Sequence, residues 1–253
     1  MRKAEYTLIE NRAVIAVTGE DATDFLQGLV SNDILAAGPH RALYAALLTP
    51  QGKFLFDFFV AEIGGQLHLD CEAARADDFI KRLSMFKLRA KVTLAMTEFT
   101  VAAAFGGDVH TAFGLGTEPG TAASFGGGMA YTDPRLAAMG VRLILAPGDD
   151  LEDLGSAELT AAEAGAYESL RLSHGLPDGS RDMDIDKSTL LECGFEELHG
   201  VDFDKGCYMG QELTARTKYR GLVKRRLFPV KIDGPLPEPG AAIDFNGADA
   251  GTI

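Results

Sequence analysis

The stretch Lys205-Gly206-Cys207-Tyr208-Met209-Gly210-Gln211-Glu212 puts a thiol between two glycines at the entrance to a helix. Glycine opens backbone angles closed to other residues, and the first turn of a helix presents N–H groups without partners. A thiol held just ahead of that turn ionises more readily than a free cysteine, and the thiolate is the nucleophile and the metal ligand. Charge marks the same stretch. Lys205, Arg216, Lys218, Arg220, Lys224, Arg225 and Arg226 face a single acid, Glu212, so the window from 205 to 226 carries +6 in a chain of formal net charge −13. A basic island on an acidic protein suits an anionic ligand and favours a thiolate at Cys207. The same residues also fit a buried cysteine followed by a solvated basic helix.

The remaining cysteines narrow the chemistry. Cys71, Cys193 and Cys207 are three, widely spaced and without a Cys-x-x-Cys pair, so neither a disulfide framework nor a zinc knuckle is indicated. Three thiols cannot supply the four cysteine ligands of a permanently held iron–sulfur cluster. No apolar run approaches the ~20 residues that cross a bilayer, since Asp57 interrupts Phe54 to Val60. The acidic balance argues against nucleic acid as a partner. The first residues lead into strand-like sequence without an apolar signal core, so a cytoplasmic protein is expected.

The elements that must position this thiol follow from periodicity. Tyr6 to Ile9 and Ala13 to Val17 read as a hairpin turned at Asn11, and Phe25, Leu26, Leu29 and Val30 give a helix an apolar face before a polar stop at Ser31-Asn32-Asp33. Tyr44 to Leu48 and Phe54 to Glu62 pair across the turn Thr49-Pro50-Gln51-Gly52-Lys53. Gln66 to Asp70 is a strand, Ala73 to Leu88 a helix, and Lys91 to Met96, Phe99 to Phe105 and Val141 to Leu145 are strands. Gly106 to Gly128 holds eight glycines in 23 residues and reads as a surface loop, since neither a phosphate-loop lysine nor a dinucleotide-binding turn is present. Ala161 to His174 reads as a helix capped by Gly175 and stopped by Pro177. Strands recur at Arg226 to Ile232 and Ala242 to Phe245. Strands joined by short turns and interspersed with helices favour an antiparallel α+β architecture.

Lys205-Gly206-Cys207-Tyr208 with Gly210-Gln211-Glu212, Arg216 and Arg220-Gly221 resembles the signature of the YgfZ family, folate-binding proteins related to the aminomethyltransferase (T-protein) of the glycine cleavage system. Phe25-Leu26-Gln27-Gly28, Ser31-Asn32-Asp33, the Pro50 to Lys53 turn and Leu176 to Met183 are similar to other parts of that pattern. The resemblance spans nearly the whole chain. It implies a T-protein-like folate-binding fold of intertwined antiparallel α/β subdomains over residues 1–222, followed at 223–253 by the start of a C-terminal β-barrel. Three short strands are too few to close such a barrel.

For function, the resemblance implies a tetrahydrofolate-binding accessory protein that assembles or repairs clusters of [4Fe-4S] enzymes. Cys207 acts there as a transient cluster ligand or redox thiol, with iron–sulfur carriers and client enzymes as partners and no permanently bound metal. Lys205, Gly206, Tyr208, Gln211, Glu212, Asp57, Arg171 and Ser173 are the implied folate-side residues. Two of these positions depart from T-proteins. Asp57 is the survivor of an acidic pair, set among phenylalanines where a carboxylate either faces solvent or needs a partner. Ser173 replaces a glutamate that contacts the pterin, and a hydroxyl cannot balance a developing positive charge. His174 beside it fits a substitute acid or base, and equally a helix-terminal charge. The alternative reading is therefore a folate-dependent one-carbon transferase resting on Asp57, and a third is a docking module whose basic island meets an acidic carrier.

Overall fold

In a computed structural model that describes residues 3–149 and 159–253, the chain builds two sheets that share a core. Strands β1 (Glu5–Leu8) and β2 (Arg12–Thr18) are followed by α1 (Ala22–Gln27), β3 (Leu43–Leu48), β4 (Phe54–Ile63), β5 (Gln66–Glu72), α2 (Ala76–Ser84) and β6 (Thr93–Met96). The first sheet has the order β3-β4-β5-β2-β6 and is antiparallel throughout. Side chains of a strand alternate between faces, and here both faces are covered, so the first eight residues of β4 are all buried. Phe56, Phe58, Val60 and Leu47 pack with Phe79 and Leu83 of α2 and Leu26 of α1, while Tyr44, Leu48, Phe54 and Phe59 turn to the opposite side.

That opposite side is closed by the second sheet. Its strands are β7 (Thr100–Phe105), β8 (Ala122–Phe125), β9 (Gly128–Thr132), β10 (Val141–Leu145) and β11 (Thr160–Ala161), with α3 (Val109–Ala112) between β7 and β8, and its order is β11-β1-β7-β10-β9-β8. Val101, Met129, Tyr131 and Ile144 meet Tyr44, Leu48, Phe54 and Phe59 in one cluster between the sheets. Two expectations change here. β1 and β2 form no hairpin: β1 pairs with β7 and β11, β2 with β5 and β6, so the turn at Asn11 carries the chain from one sheet to the other. The glycine-rich stretch is not a plain loop, since it contains α3 and β8 and ends in β9. A Cβ at Gly128 would lie 1.8 Å from the carbonyl oxygen of Ile144, so glycine there permits close backbone approach.

The last part of the chain wraps this sandwich. Helix α4 (Ala166–Ser173) begins later than the expected Ala161, because residues 160 and 161 pair with β1 and Gly165 starts the helix in a left-handed conformation. Its end is as expected. Gly175 N–H bonds to Leu172 O and Leu176 N–H to Arg171 O, the paired bonds of a glycine-terminated helix. After α5 (Gly179–Asp182), residues 183–210 carry neither helix nor strand until α6 (Gln211–Tyr219) begins. Leu190, Cys193, Phe195 and Tyr208 anchor this long segment in the shared core. The strand expected at Arg226 to Ile232 is absent, and the hairpin of β12 (Ala242–Phe245) and β13 (Ala248–Thr252) stands alone.

Candidate functional site

Cys207 is exposed, whereas Cys71 and Cys193 are buried and burial pushes each of their thiols up to about 12. The loop under Cys207 is fixed from both sides. Tyr208 is buried in the core between the sheets, and Met209 packs on the core under α1 and α2 while its N–H donates to Gly28 O at 3.1 Å. The N–H of Tyr208 donates to Gln211 Oε1 at 3.2 Å, so Gln211 sets the helix entrance as its place in the motif suggests. Gly210 starts α6 at φ +81, and a Cβ there would lie 2.4 Å from Thr49 O and 3.0 Å from the Cα of Gly52. The β3–β4 turn and the Cys207 motif thus interlock backbone against backbone, which only glycine allows.

Lys205 does not serve the thiol or an anion. Its ammonium donates to the carbonyl oxygens of Gln27, Val30 and Asn32 at 2.8, 2.7 and 2.7 Å, pinning the loop to the end of α1. Burial pulls this amine down to about 8. Half of the rest of the basic island is paired: Arg216 with Glu212 at 2.7 Å inside it, and Lys218 with Glu196 and Arg226 with Glu197 just upstream of it. Arg220, Lys224 and Arg225 are exposed and make no ion pair among the described residues. Gly206 is exposed at φ +93 with no neighbour where a Cβ would stand, and Glu212 is exposed.

The residues expected on the folate side do not converge. Asp57 does not face solvent: it is 4% exposed and accepts a hydrogen bond from Tyr44 Oη at 2.9 Å, and burial raises its carboxyl above the usual range. Tyr44 is itself fully buried, stacked on Phe195 with ring centres 5.0 Å apart. Arg171 is buried and holds Glu168 at 2.7 Å and Asp182 at 2.6 Å, and the first of these bonds, with Arg181 beside it, pulls Glu168 down to about 2. Ser173 is exposed, its hydroxyl donating back to Leu170 O at 2.7 Å.

Two cavities lie nearby. One, of about 50 Å³, is lined by Arg12, Arg135, Arg142, Arg171 and Arg181. Each guanidinium is already engaged: Arg12 and Arg142 share Asp70 at 2.6 Å each, Arg135 holds Asp133 at 2.8 Å, and Arg181 binds Glu168 and Asp178. Arg12, Arg135 and Arg142 form a buried ion-pair network, with Arg135 and Arg142 over Phe59 and Arg181 at its exposed edge, and the cavity volume is far below the ~300–1,000 Å³ of ligand pockets. The second, of about 400 Å³, falls inside that range and is bordered by Asn32, Asp33, Arg41, Tyr44, His199 and Asp202. Asp57, Arg171 and Ser173 do not line it. Of these two cavities the larger has the volume of a ligand pocket, and the T-protein positions carried over by resemblance lie outside it.

Sequence reasoning passed over Tyr44, the arginine network and the Ser31-Asn32 pair as site residues. Arg142 in the run Val141-Arg142-Leu143-Ile144-Leu145 carried a signal, because a charge inside a buried strand implies a partner. Tyr44 carried none, being one more aromatic residue in an apolar strand.

Comparison with known proteins bears on the family and the fold. A family model, the C-terminal β-barrel domain of CAF17, matches residues 224–253. The iron-sulfur cluster assembly factor IBA57, mitochondrial, of Mus musculus is 35% identical, over 92% of this chain and 68% of its own length. The human protein of that name is 34% identical, over 92% and 67%. The glycine cleavage system aminomethyltransferase T of Bartonella henselae superposes with a TM-score of 0.69 at 17% identity, over 86% of this chain and 64% of that structure, so the fold is that of a T-protein. The chain thus spans about two thirds of the length of these proteins. The cytoplasmic expectation is overturned by the same relatives, which are named as mitochondrial; it rested on composition and on the first residues, neither of which reports a compartment. The chain belongs to the family of the IBA57 iron–sulfur cluster assembly factors.

Proposed function

We propose that this protein assists assembly or repair of the clusters of [4Fe-4S] enzymes through the thiol of Cys207, with the cluster as cargo passed between a carrier protein and a client enzyme. The observation that carries the reading is an exposed thiol on a loop whose backbone is held on every side. A soft sulfur donor on a fixed mount with open access suits transient capture of iron and release. A structural cysteine has no need of such exposure, and Cys71 and Cys193 show the buried alternative.

Tetrahydrofolate, implied by the likeness to the YgfZ branch, belongs in this proposal as a ligand of the 400 Å³ cavity. Arg41, which meets Glu118 at 3.5 Å on the rim, offers a cation to its carboxylates, and Asp33 and Asp202 offer acceptors. Bound there, folate would bring a one-carbon carrier beside the segment leading to Cys207. One-carbon transfer is the weaker reading, because Asp57 is sealed by Tyr44 and Ser173 points outward.

The test is the activity of a [4Fe-4S] enzyme in cells whose only copy of this protein is wild type or Cys207→Ser, at matched protein levels. A fall to the level of cells lacking the protein supports the thiol. Full restoration by serine sinks it.

A further inference from the structure

Ser31 and Asn32 follow α1, and both are buried, at 0 and 9% exposure. The Ser31 hydroxyl donates to Gly200 O at 2.6 Å and accepts the Ala46 N–H at 2.8 Å; its carbonyl accepts the Asp202 N–H at 3.0 Å. The Asn32 side-chain amide donates one N–H to Tyr44 O and the other to His199 O, both at 2.7 Å, and the backbone carbonyl of Asn32 accepts from Lys205 Nζ at 2.7 Å. These two side chains therefore stitch β3 to His199 and Gly200, and their backbone carbonyls hold Asp202 and Lys205, so the pair ties down the stretch that delivers Cys207. No ladder or helix does so, since residues 183–210 have neither.

His199 adds an independent sign. It holds φ +54, a left-handed conformation that is unfavourable for a non-glycine residue and persists only where its surroundings enforce it. The enforcing contacts are the Asn32 amide on its carbonyl and the adjoining Ser31 bond to Gly200. Asp202 then turns the chain, its Oδ1 accepting the N–H groups of Asp204 and Lys205 at 2.7 and 3.0 Å.

We propose that Ser31 and Asn32 are positioning residues for Cys207: they fix where the thiol stands relative to the first sheet, with Lys205 as the matching tie from the loop. The proposal rests on Cys207 being the acting thiol. Ser31→Ala deletes both hydroxyl bonds, and Asn32→Asp keeps the size while losing both donors. Loss of buried bonds of this kind corresponds to about a tenfold to hundredfold rise in local opening.

The experiment measures amide hydrogen exchange at Asp202 and Met209, together with the alkylation rate of Cys207 by iodoacetamide, in the full chain. Leu143→Ala, in the second sheet and off this network, is the control, with denaturant used to match its stability to that of the variants. Expected are exchange at least about tenfold faster and an altered alkylation rate in Ser31→Ala and Asn32→Asp, neither of them in the control, with Ser31→Thr restoring wild-type rates. Rates within about twofold of wild type in folded Ser31→Ala would overturn the proposal, as would equal changes in Leu143→Ala. If Ser31→Ala does not fold, Lys205→Met cuts the same tie from the loop side and is read by the same criteria. If Cys207→Ser supports full enzyme activity in cells, the function reading fails instead, while exchange and alkylation still decide what holds the loop.

Discussion

Tyr44→Phe removes one hydroxyl and leaves the ring that stacks on Phe195 and meets Phe59 at a tilt. The hydroxyl donates to Asp57 at 2.9 Å in a site where Tyr44 is fully buried and Asp57 4% exposed, so no water replaces it. A buried acceptor left without its donor costs about 1–3 kcal/mol. At roughly 2–4 °C per kcal/mol for a chain of this size, a 2 kcal/mol loss lowers the melting temperature by about 4–8 °C. Urea denaturation of wild type, Tyr44→Phe, Asp57→Asn and the double variant closes a cycle that isolates the pair. A coupling of about 1 kcal/mol or more is expected, since the two groups touch. A loss under about 0.5 kcal/mol in Tyr44→Phe, or a coupling near zero, would refute the view that Asp57 is a sealed internal carboxyl, and would reopen it as a ligand-facing group.

Three further outcomes follow from the same contacts. Asp57 has a carboxyl raised by burial, so the native state holds a proton longer than the unfolded chain and stability falls as pH rises above the ordinary value of 3.8. Asp57→Asn lacks this dependence, and its stability relative to wild type, from urea curves at pH 4 and pH 7, should improve with pH. Asp70 is the opposite case: against the upward push of burial, Arg12 and Arg142 hold its carboxyl low, so its contribution is present above 3.8 and lost as pH falls below it. Asp70→Asn strands two buried guanidiniums and should cost about 3–5 kcal/mol by denaturation at pH 7. Gly210→Ala places a methyl 2.4 Å from Thr49 O at a left-handed backbone position, and should loosen α6 from the β3–β4 turn, read as faster exchange at Met209 with the first sheet unchanged.

The parts of this molecule legible in the sequence are those decided within a few residues. Tyr44 to Leu48 and Phe54 to Glu62 paired as expected, because a proline-and-glycine turn fixes a hairpin locally. The end of α4 at Gly175 was likewise a matter of one turn of chain. Partner choice was not legible: the turn at Asn11 suits a hairpin, but β1 finds β7 some 90 residues on, and alternation says only that a strand has two faces. The glycines from 106 to 128 read as looseness when at Gly128 the absence of a side chain serves tight packing. At the site, the motif singled out Cys207 but left open whether the thiol is buried, and the structure places it exposed. The motif misjudged Lys205, whose charge is spent on three carbonyls of a helix end 173–178 residues away. Ser31 and Asn32 looked like a polar helix stop, and their bonds to 199–205 appear only once the chain has folded.

The central claim, that the Cys207 thiol handles the cluster, is met most directly by spectroscopy on the isolated protein. Mixed with a carrier loaded with an iron–sulfur cluster, wild type should form a complex that keeps the sulfur-to-iron absorption and in which Cys207 resists alkylation. Cys207→Ser should lose that absorption or leave it wholly with the carrier. A complex that holds the cluster equally well with serine at 207, or in which wild-type Cys207 is alkylated as fast as in the free protein, would contradict a thiol-based role.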